Sequence, residues 1–313
     1  MTELISLTPA RALDRLDDWQ LAMRAENKSP ATIACYTDAT TRYLRWCADS
    51  DHPPMSRTAL NGWISGMLEA GAAPSTARTR QMCVRRFASW LTEGGYLPAY
   101  PFPGVKAPRV PAPIVQPLTD DELRALIRTC TPPAPEDLTE AGDQALHHRR
   151  DEAIIRLMLE TAIRSGEVIA LTVDDVDLDG FLVTIRRGKG GRGRVIPIGL
   201  DTALSIERYL GIRARHPRAS DPSLWLGGHG KAFSQNGLIR SLSRRAARAG
   251  IDNFRPHRLR HTAAHRWLAA GGSETGLMAM AGWTRSEMLI RYTRARASER
   301  AAEEAWGLDL GNL

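Results

Sequence analysis

Seven prolines fall between residues 97 and 118: Pro98, Pro101, Pro103, Pro108, Pro111, Pro113 and Pro117. A stretch this dense in proline cannot run as an α-helix. Each ring removes an amide donor and crowds the preceding turn, and the segment tends to extended polyproline geometry. The chain is therefore expected to fold in two parts, 1–105 and 118–313, joined by a linker over 106–117. With 313 residues in all, each part is long enough to bury a core of its own.

The first part reads as a four-helix unit. Leu13, Leu16, Trp19, Leu21 and Met23 suggest one apolar stripe. Ser29-Pro30 has the form of an N-cap followed by proline at the first helical position. The run Ala31–Asp49 then places Ile33, Tyr36, Tyr43, Leu44 and Trp46 mostly on one face. Two more helical patterns follow, over Arg57–Ala70 and Ser75–Leu91.

The second part opens on Thr119-Asp120-Asp121-Glu122, a capping box ahead of Leu123, Leu126 and Ile127. Its pattern is helical through Ala153–Leu171. Phe181–Ile185 and Arg194–Ile198 are β-branched and apolar around a glycine-rich turn, which predicts a hairpin. Helical patterns return near Leu204–Arg213, Ser234–Ala249, Pro256–Ala270 and Glu287–Tyr292, with a charged helical tail over Ala295–Trp306. The expected fold class is mainly α with a small β-hairpin or sheet (α+β).

Composition narrows the function classes. Hydrophobic residues make up 43% and charged residues 25%, an ordinary globular mixture that excludes a largely disordered or collagen-like chain. No apolar run approaches the roughly 18 residues of a membrane helix, and Met1-Thr2-Glu3-Leu4 does not open like a signal peptide. The four cysteines, Cys35, Cys47, Cys83 and Cys130, are scattered without a Cys-x-x-Cys pair. A disulfide scaffold or zinc ribbon is not expected, and a reducing cytoplasm is.

Net charge is +7, with 42 basic residues of which only Lys28, Lys106, Lys189 and Lys231 are lysine. The basic excess sits in 181–300, whereas 118–180 is net acidic. An electropositive face of arginines, whose planar forks suit phosphate, makes nucleic acid the leading partner. A solvated arginine-rich surface is the plainer alternative. Both readings apply to Arg240, Arg244, Arg245 and Arg248, which fall mainly along one helix face.

Six residues form a series in order: Arg164, Lys189, His257, Arg260, Trp283 and Tyr292. Their contexts are Thr161-Ala162-Ile163-Arg164-Ser165-Gly166-Glu167-Val168, Gly188-Lys189-Gly190, His257-Arg258-Leu259-Arg260-His261 and Ala281-Gly282-Trp283, with Tyr292 nine residues beyond the tryptophan. Taken singly each has an ordinary explanation: a surface arginine, a solvated hairpin lysine, a core aromatic. Gly188, Gly190 and Gly193 also match Gly-x-Gly-x-x-Gly, but a strand with Pro197 follows instead of a helix, so a dinucleotide site is not expected. His257, His261 and His265 recur every four residues, a spacing that could hold a metal. No acidic residue lies between Asp252 and Glu274 to complete such a site, so no metal or cofactor is expected.

The series as a whole resembles the tyrosine recombinases of the phage integrase family. That signature has an arginine in Thr-Gly-x-Arg-x-x-Glu-Leu, a lysine in a hairpin turn, a His-x-x-Arg box, a Gly-His or Gly-Trp pair, and a tyrosine nine residues on. Ala162 stands here for the glycine, Val168 for the leucine, and Ala281 for the leucine before the Gly-His pair. The match runs from about Leu118 to Arg294, and Ser29-Pro30-Ala31-Thr32 with Tyr36 resembles the family's helical (SAM-like) core-binding domain.

The resemblance implies a C-shaped clamp on double-stranded DNA. It implies strand cleavage and rejoining through a 3′-phosphotyrosine on Tyr292. Arg164 and Arg260 would hold the non-bridging phosphate oxygens. Lys189 would protonate the leaving 5′-oxygen, His257 would assist proton transfer, and Trp283 would position the phosphate. Glu167 and His261 would orient these groups. It further implies a homotetramer on two recombining sites, an accessory directionality factor as a possible partner, and no membrane partner. An integrase or excision enzyme of a phage or mobile element is the expected programme. The alternatives are a Xer-type dimer resolvase, a type IB topoisomerase-like enzyme, and a DNA-binding regulator without catalysis.

Overall fold

The computed structural model describes residues 7–111, 116–131, 141–186 and 193–283. Two compact units divide the chain, Met1–Pro113 and Ile114–Leu313.

The first unit is helical. Its elements are α1 (Pro9–Leu13), α2 (Leu16–Ala25), α3 (Pro30–Asp49), α4 (Arg57–Glu69) and α5 (Pro74–Glu93). Local chemistry sets most of the starts. Thr8, Ser29 and Ser56 each accept a hydrogen bond from a backbone N–H of the first turn, satisfying donors the helix itself cannot. The single stripe expected around Leu13–Met23 is broken: the chain leaves the helix at Asp14–Arg15, and Leu21 is 65% exposed while Leu16, Trp19 and Met23 are buried. The core gathers Trp19, Tyr43, Leu44, Trp63, Phe87 and Leu91.

The proline-rich segment begins packed rather than free. Phe102 and Val105 are buried in this core. Gln81 donates to the Lys106 carbonyl (3.2 Å) and Arg85 to that of Val105 (3.3 Å). At the other end, the Leu118 amide donates to Thr262 Oγ1 (2.9 Å), and Arg258 donates to the Gln116 carbonyl (3.0 Å), so residues 116–118 belong to the second unit.

That unit contains α6 (Asp120–Arg128), α7 (Ala141–Thr161), α8 (Ser165–Ala170), β1 (Val176–Asp177), β2 (Leu182–Ile185), β3 (Arg194–Pro197), α9 (Leu200–Arg213), α10 (Gln235–Arg248), α11 (Pro256–Ala269) and α12 (Glu274–Ala281). The capping box at Thr119 and Glu122 forms in full. The strands make one antiparallel sheet in the order β1-β2-β3, with Val183 opposite Ile196. Its inner face joins Leu126, Ile154, Met158, Tyr209 and Leu259 in the core.

Two departures from the sequence pattern matter for the site. The helix expected through 153–171 is interrupted after Thr161, where Ala162 takes a φ of 51°, and it restarts as α8. Helix α12 was not expected at all. Ser273 caps it, and Gly282 ends it in the left-handed region at φ 62°. There the Trp283 N–H reaches back to the Met278 carbonyl (2.9 Å), a closure that favours glycine. Beneath both features lies a small second core of Ala162, Ala263, Ala264, Leu268, Leu277, Ala281 and Trp283. Its alanines allow α11 and α12 to approach the 162 turn closely.

Candidate active site

Helix α11 starts with Pro256 at its first position and carries His257, Arg260 and His261 at spacings of three and four, which share one face. Arg260 turns inward and is 1% exposed. Its guanidinium donates to the Ala162 carbonyl and to the Ala281 carbonyl (2.8 Å). Its central carbon lies 5.2 Å from the Trp283 ring centroid, within cation–π range. His257 is exposed, and its ring meets that of His261 edge-on at 4.6 Å.

Arg164 occupies the N-cap position of α8, and Glu167 is the third residue of that helix. The Glu167 carboxylate accepts from the Arg164 amide (3.1 Å) and from Arg164 Nη1 (2.8 Å). It also accepts a two-pronged contact from Arg194 at the start of β3, with Nη1 at 3.1 Å and Nη2 at 2.8 Å. Burial acts to raise the Glu167 pKa. The hydrogen bond from Arg194, the Arg164 amide and the Arg194 charge outweigh it, and the carboxyl sits below its ordinary value. It is a carboxylate at neutral pH.

The three arginines converge on one helix end. Arg194 Nε donates to the Met280 carbonyl (2.8 Å), Arg260 Nη2 to Ala281 and Arg164 Nη2 to Gly282 (2.6 Å). The last carbonyls of an α-helix have no partner within the helix and carry its partial negative charge. The end of α12 therefore gathers cationic groups for a simple electrostatic reason. A cluster of guanidinium groups can in turn receive an anionic ligand with paired, planar donors, of which a phosphate is the natural match.

Of the expected site residues, Arg164, Glu167, His257, Arg260, His261 and Trp283 lie within the described residues, whereas Lys189 and Tyr292 lie outside them, as does the tail beyond. Sequence reasoning missed Arg194, one arginine among many, and its partner carbonyl on the unexpected α12. Arg245 is not a surface group: it is 5% exposed and pairs with Asp151 (3.0 Å). Arg240, Arg244 and Arg248 are exposed. Among the described residues no group of three His, Cys, Asp or Glu could hold a metal ion, and no helix is long and apolar enough to cross a membrane.

The phage integrase family model matches residues 116–299. The chain belongs to the phage integrase family. As a tyrosine recombinase it is similar to proteins named tyrosine recombinase XerC. The match to that of Mycobacterium tuberculosis is 29% identical, covering 93% of this chain and 97% of the relative. That of Corynebacterium efficiens is 28% identical, covering 78% and 74%. Solved structures share the fold: XerH recombinase bound to a palindromic difH substrate (TM-score 0.69, 15% identity, 94% of this chain and 84% of that one) and a λ integrase tetramer on a Holliday junction (0.67, 15%, 92% and 78%). The mainly helical fold with a small three-stranded sheet is the fold of this tyrosine recombinase family.

Proposed function

We propose that this tyrosine recombinase binds double-stranded DNA, cuts it at a specific site and rejoins it through Tyr292. The observation that carries the reading is the convergence of Arg164 and Arg260 on the adjacent carbonyls of Gly282 and Ala281, which sets two guanidinium groups at one point. Their donors would meet the non-bridging oxygens of the scissile phosphate, where negative charge concentrates in the transition state.

In this scheme the Tyr292 oxygen attacks phosphorus, and His257 takes the phenolic proton. The bond to the 5′-oxygen breaks, and Lys189 supplies that oxygen with its proton. A 3′-phosphotyrosine and a 5′-hydroxyl result. Attack by a 5′-hydroxyl from the second site reverses the step, regenerates the phenol and needs no external energy, because the phosphodiester bond energy is kept in the covalent linkage. The indole N–H of Trp283 donates but does not titrate, so it positions and packs. Glu167 and His261 orient these groups.

The working assembly is a homotetramer on two sites, in the cytoplasm, with no cofactor required. The solved tetramer of λ integrase on a Holliday junction supports this by likeness of fold. Units 1–105 and 118–313, joined over 106–117, are proposed as the DNA-holding and catalytic domains. Integration and excision of a mobile element is one programme. The near full-length match to XerC relatives favours a second, dimer resolution.

The test is a duplex that the full chain selects from a random-sequence library, placed in pairs on one plasmid. The wild type is expected to give recombinant product and Tyr292→Phe none. Covalent adduct without recombinant would point to topoisomerase-like relaxation, and binding with neither product would refute the catalytic reading.

A further inference from the structure

Arg194 is absent from the six-residue series, yet its side chain makes three hydrogen bonds within the site. Its side chain is 13% exposed, and its guanidinium faces the Glu167 carboxylate with both terminal nitrogens. Its Nε holds the Met280 carbonyl. It thus ties three separate elements: the start of β3, the first turn of α8 and the last turn of α12.

We propose that Arg194 is a positioning residue for the recombination chemistry, holding Glu167 so that Arg164 keeps its guanidinium donors for the phosphate. The proposal rests on the recombinase reading given above.

Two arginines compete for a single carboxylate. A carboxylate binds an arginine best through two parallel hydrogen bonds. Arg164 and Arg194 both lie within reach of Glu167, but only Arg194 makes the two-pronged contact. Arg164 makes one side-chain bond to Glu167 and one to Gly282. Among the described residues that engages two of the five N–H donors a guanidinium carries. Remove Arg194, and a buried carboxylate loses its main counter-charge. The nearest replacement is Arg164 itself, which would close onto Glu167 with both nitrogens and turn its donors away from an incoming phosphate. Gly282 sits in the same arrangement. A Cβ there would lie 2.8 Å from Arg194 Nη1 and 3.3 Å from Arg164 Nη1, so the two guanidinium groups pack against the Gly282 backbone with no room for a side chain.

A rival route runs through Lys189. Arg194 follows that lysine by five residues, so its loss could act by moving the hairpin turn. The leaving group distinguishes the two routes. A 5′-phosphorothiolate leaves without protonation, and so bypasses a defect in Lys189 but not one in Arg164.

The experiment uses the full chain and a suicide duplex, the library-selected site nicked near the scissile phosphate. Arg194→Lys, Arg194→Gln and Glu167→Gln are compared with wild type for thermal melting, duplex affinity and single-turnover adduct formation. Both Arg194 variants are expected to melt cooperatively and to bind DNA within about 3-fold of wild type, yet to cleave roughly 100-fold slower, the scale of loss for a misplaced catalytic group. Lysine keeps the charge but not the fork, so it should not rescue. The phosphorothiolate should not restore the rate. In a Glu167→Gln background, Arg194→Gln should add less than about 3-fold, because the two act as one unit. Wild-type cleavage rates in the Arg194 variants would overturn the proposal. So would rescue by phosphorothiolate, or loss of folding in both Arg194 variants, which would make the residue structural. A wild type that forms no adduct would instead refute the recombinase reading beneath it.

Discussion

Arg260 and Ala162 are joined by a hydrogen bond from the guanidinium to the carbonyl of a residue held at φ 51°. A non-glycine residue in the left-handed region costs roughly 1–2 kcal/mol. Here the turn ends α7 and lets Arg164 open α8 beside Gly282. Glycine is usual at this position in the family pattern, and the backbone angle supplies the physical reason. Ala162→Gly is expected to be tolerated and to raise stability by up to about 1 kcal/mol. Thermal denaturation at fixed pH measures it, and a marked fall in melting temperature would contradict the account.

Arg260→Ala should cut adduct formation by at least ~100-fold while leaving duplex affinity within severalfold, since affinity for duplex DNA is generally spread over many phosphate contacts. The mutation also leaves the carbonyls of Ala162 and Ala281 without their donor, so a moderate loss of stability should accompany it. Filter binding and single-turnover cleavage on one preparation separate the effects. Equal losses in both would refute a transition-state role.

Gly282→Ala meets two obstacles, the positive φ of 62° and the crowding by Arg194 and Arg164 described above. The variant should lose about 1 kcal/mol or more in a urea melt and cleave far more slowly than that loss alone predicts. A variant with wild-type cleavage would show that the guanidinium arrangement tolerates displacement.

Away from the site, Asp151 is 1% exposed and pairs with both Arg150 (2.8 Å) and Arg245 (3.0 Å), with Ser241 also donating to it (2.7 Å). Burial pushes its pKa up, but the charges of Arg150 and Arg245 and the hydrogen bonds from Ser241 and Arg150 pull it further down, below its ordinary value. Glu167 is depressed likewise. A depressed carboxyl contributes stability that is fully present above its unfolded value and lost as pH falls through the lower native value. The protein should therefore lose stability progressively below about pH 4. Asp151→Asn should cost about 3–5 kcal/mol at neutral pH by leaving two buried guanidinium groups undercompensated, and it should flatten the acid limb. Urea melts across pH 3–7 check both.

Much of the architecture was legible in local chemistry. The Ser29-Pro30 start, the Thr119–Glu122 capping box and the β2–β3 hairpin follow from short-range rules, and each forms where expected. What escaped is tertiary in origin. Helix α12 is short and carries Gly276 inside, so its pattern is weak, and packing of Leu277 and Ala281 under Trp283 sustains it. The break at Ala162 shows only in the glycine of the family pattern, because alanine itself suits a helix and the Arg260 contact that supports the turn comes from almost a hundred residues away. Leu21 lies roughly 140° around α2 from Leu16, on the side away from Leu16, Trp19 and Met23, so it faces solvent. The six-residue series was visible as an ordered set of residue types. Arg194 had no such signature, since its role depends on a carboxylate and a helix end that meet only in the folded chain.

The most direct test of the account is a peptide map of the covalent adduct. Wild-type protein is reacted with the nicked suicide duplex, digested with protease and nuclease, and sequenced by tandem mass spectrometry. The expected adduct is a nucleotide attached through a 3′-phosphate to Tyr292, with a free 5′-hydroxyl on the released strand. Attachment to any other residue, or adduct that persists in Tyr292→Phe, would contradict it.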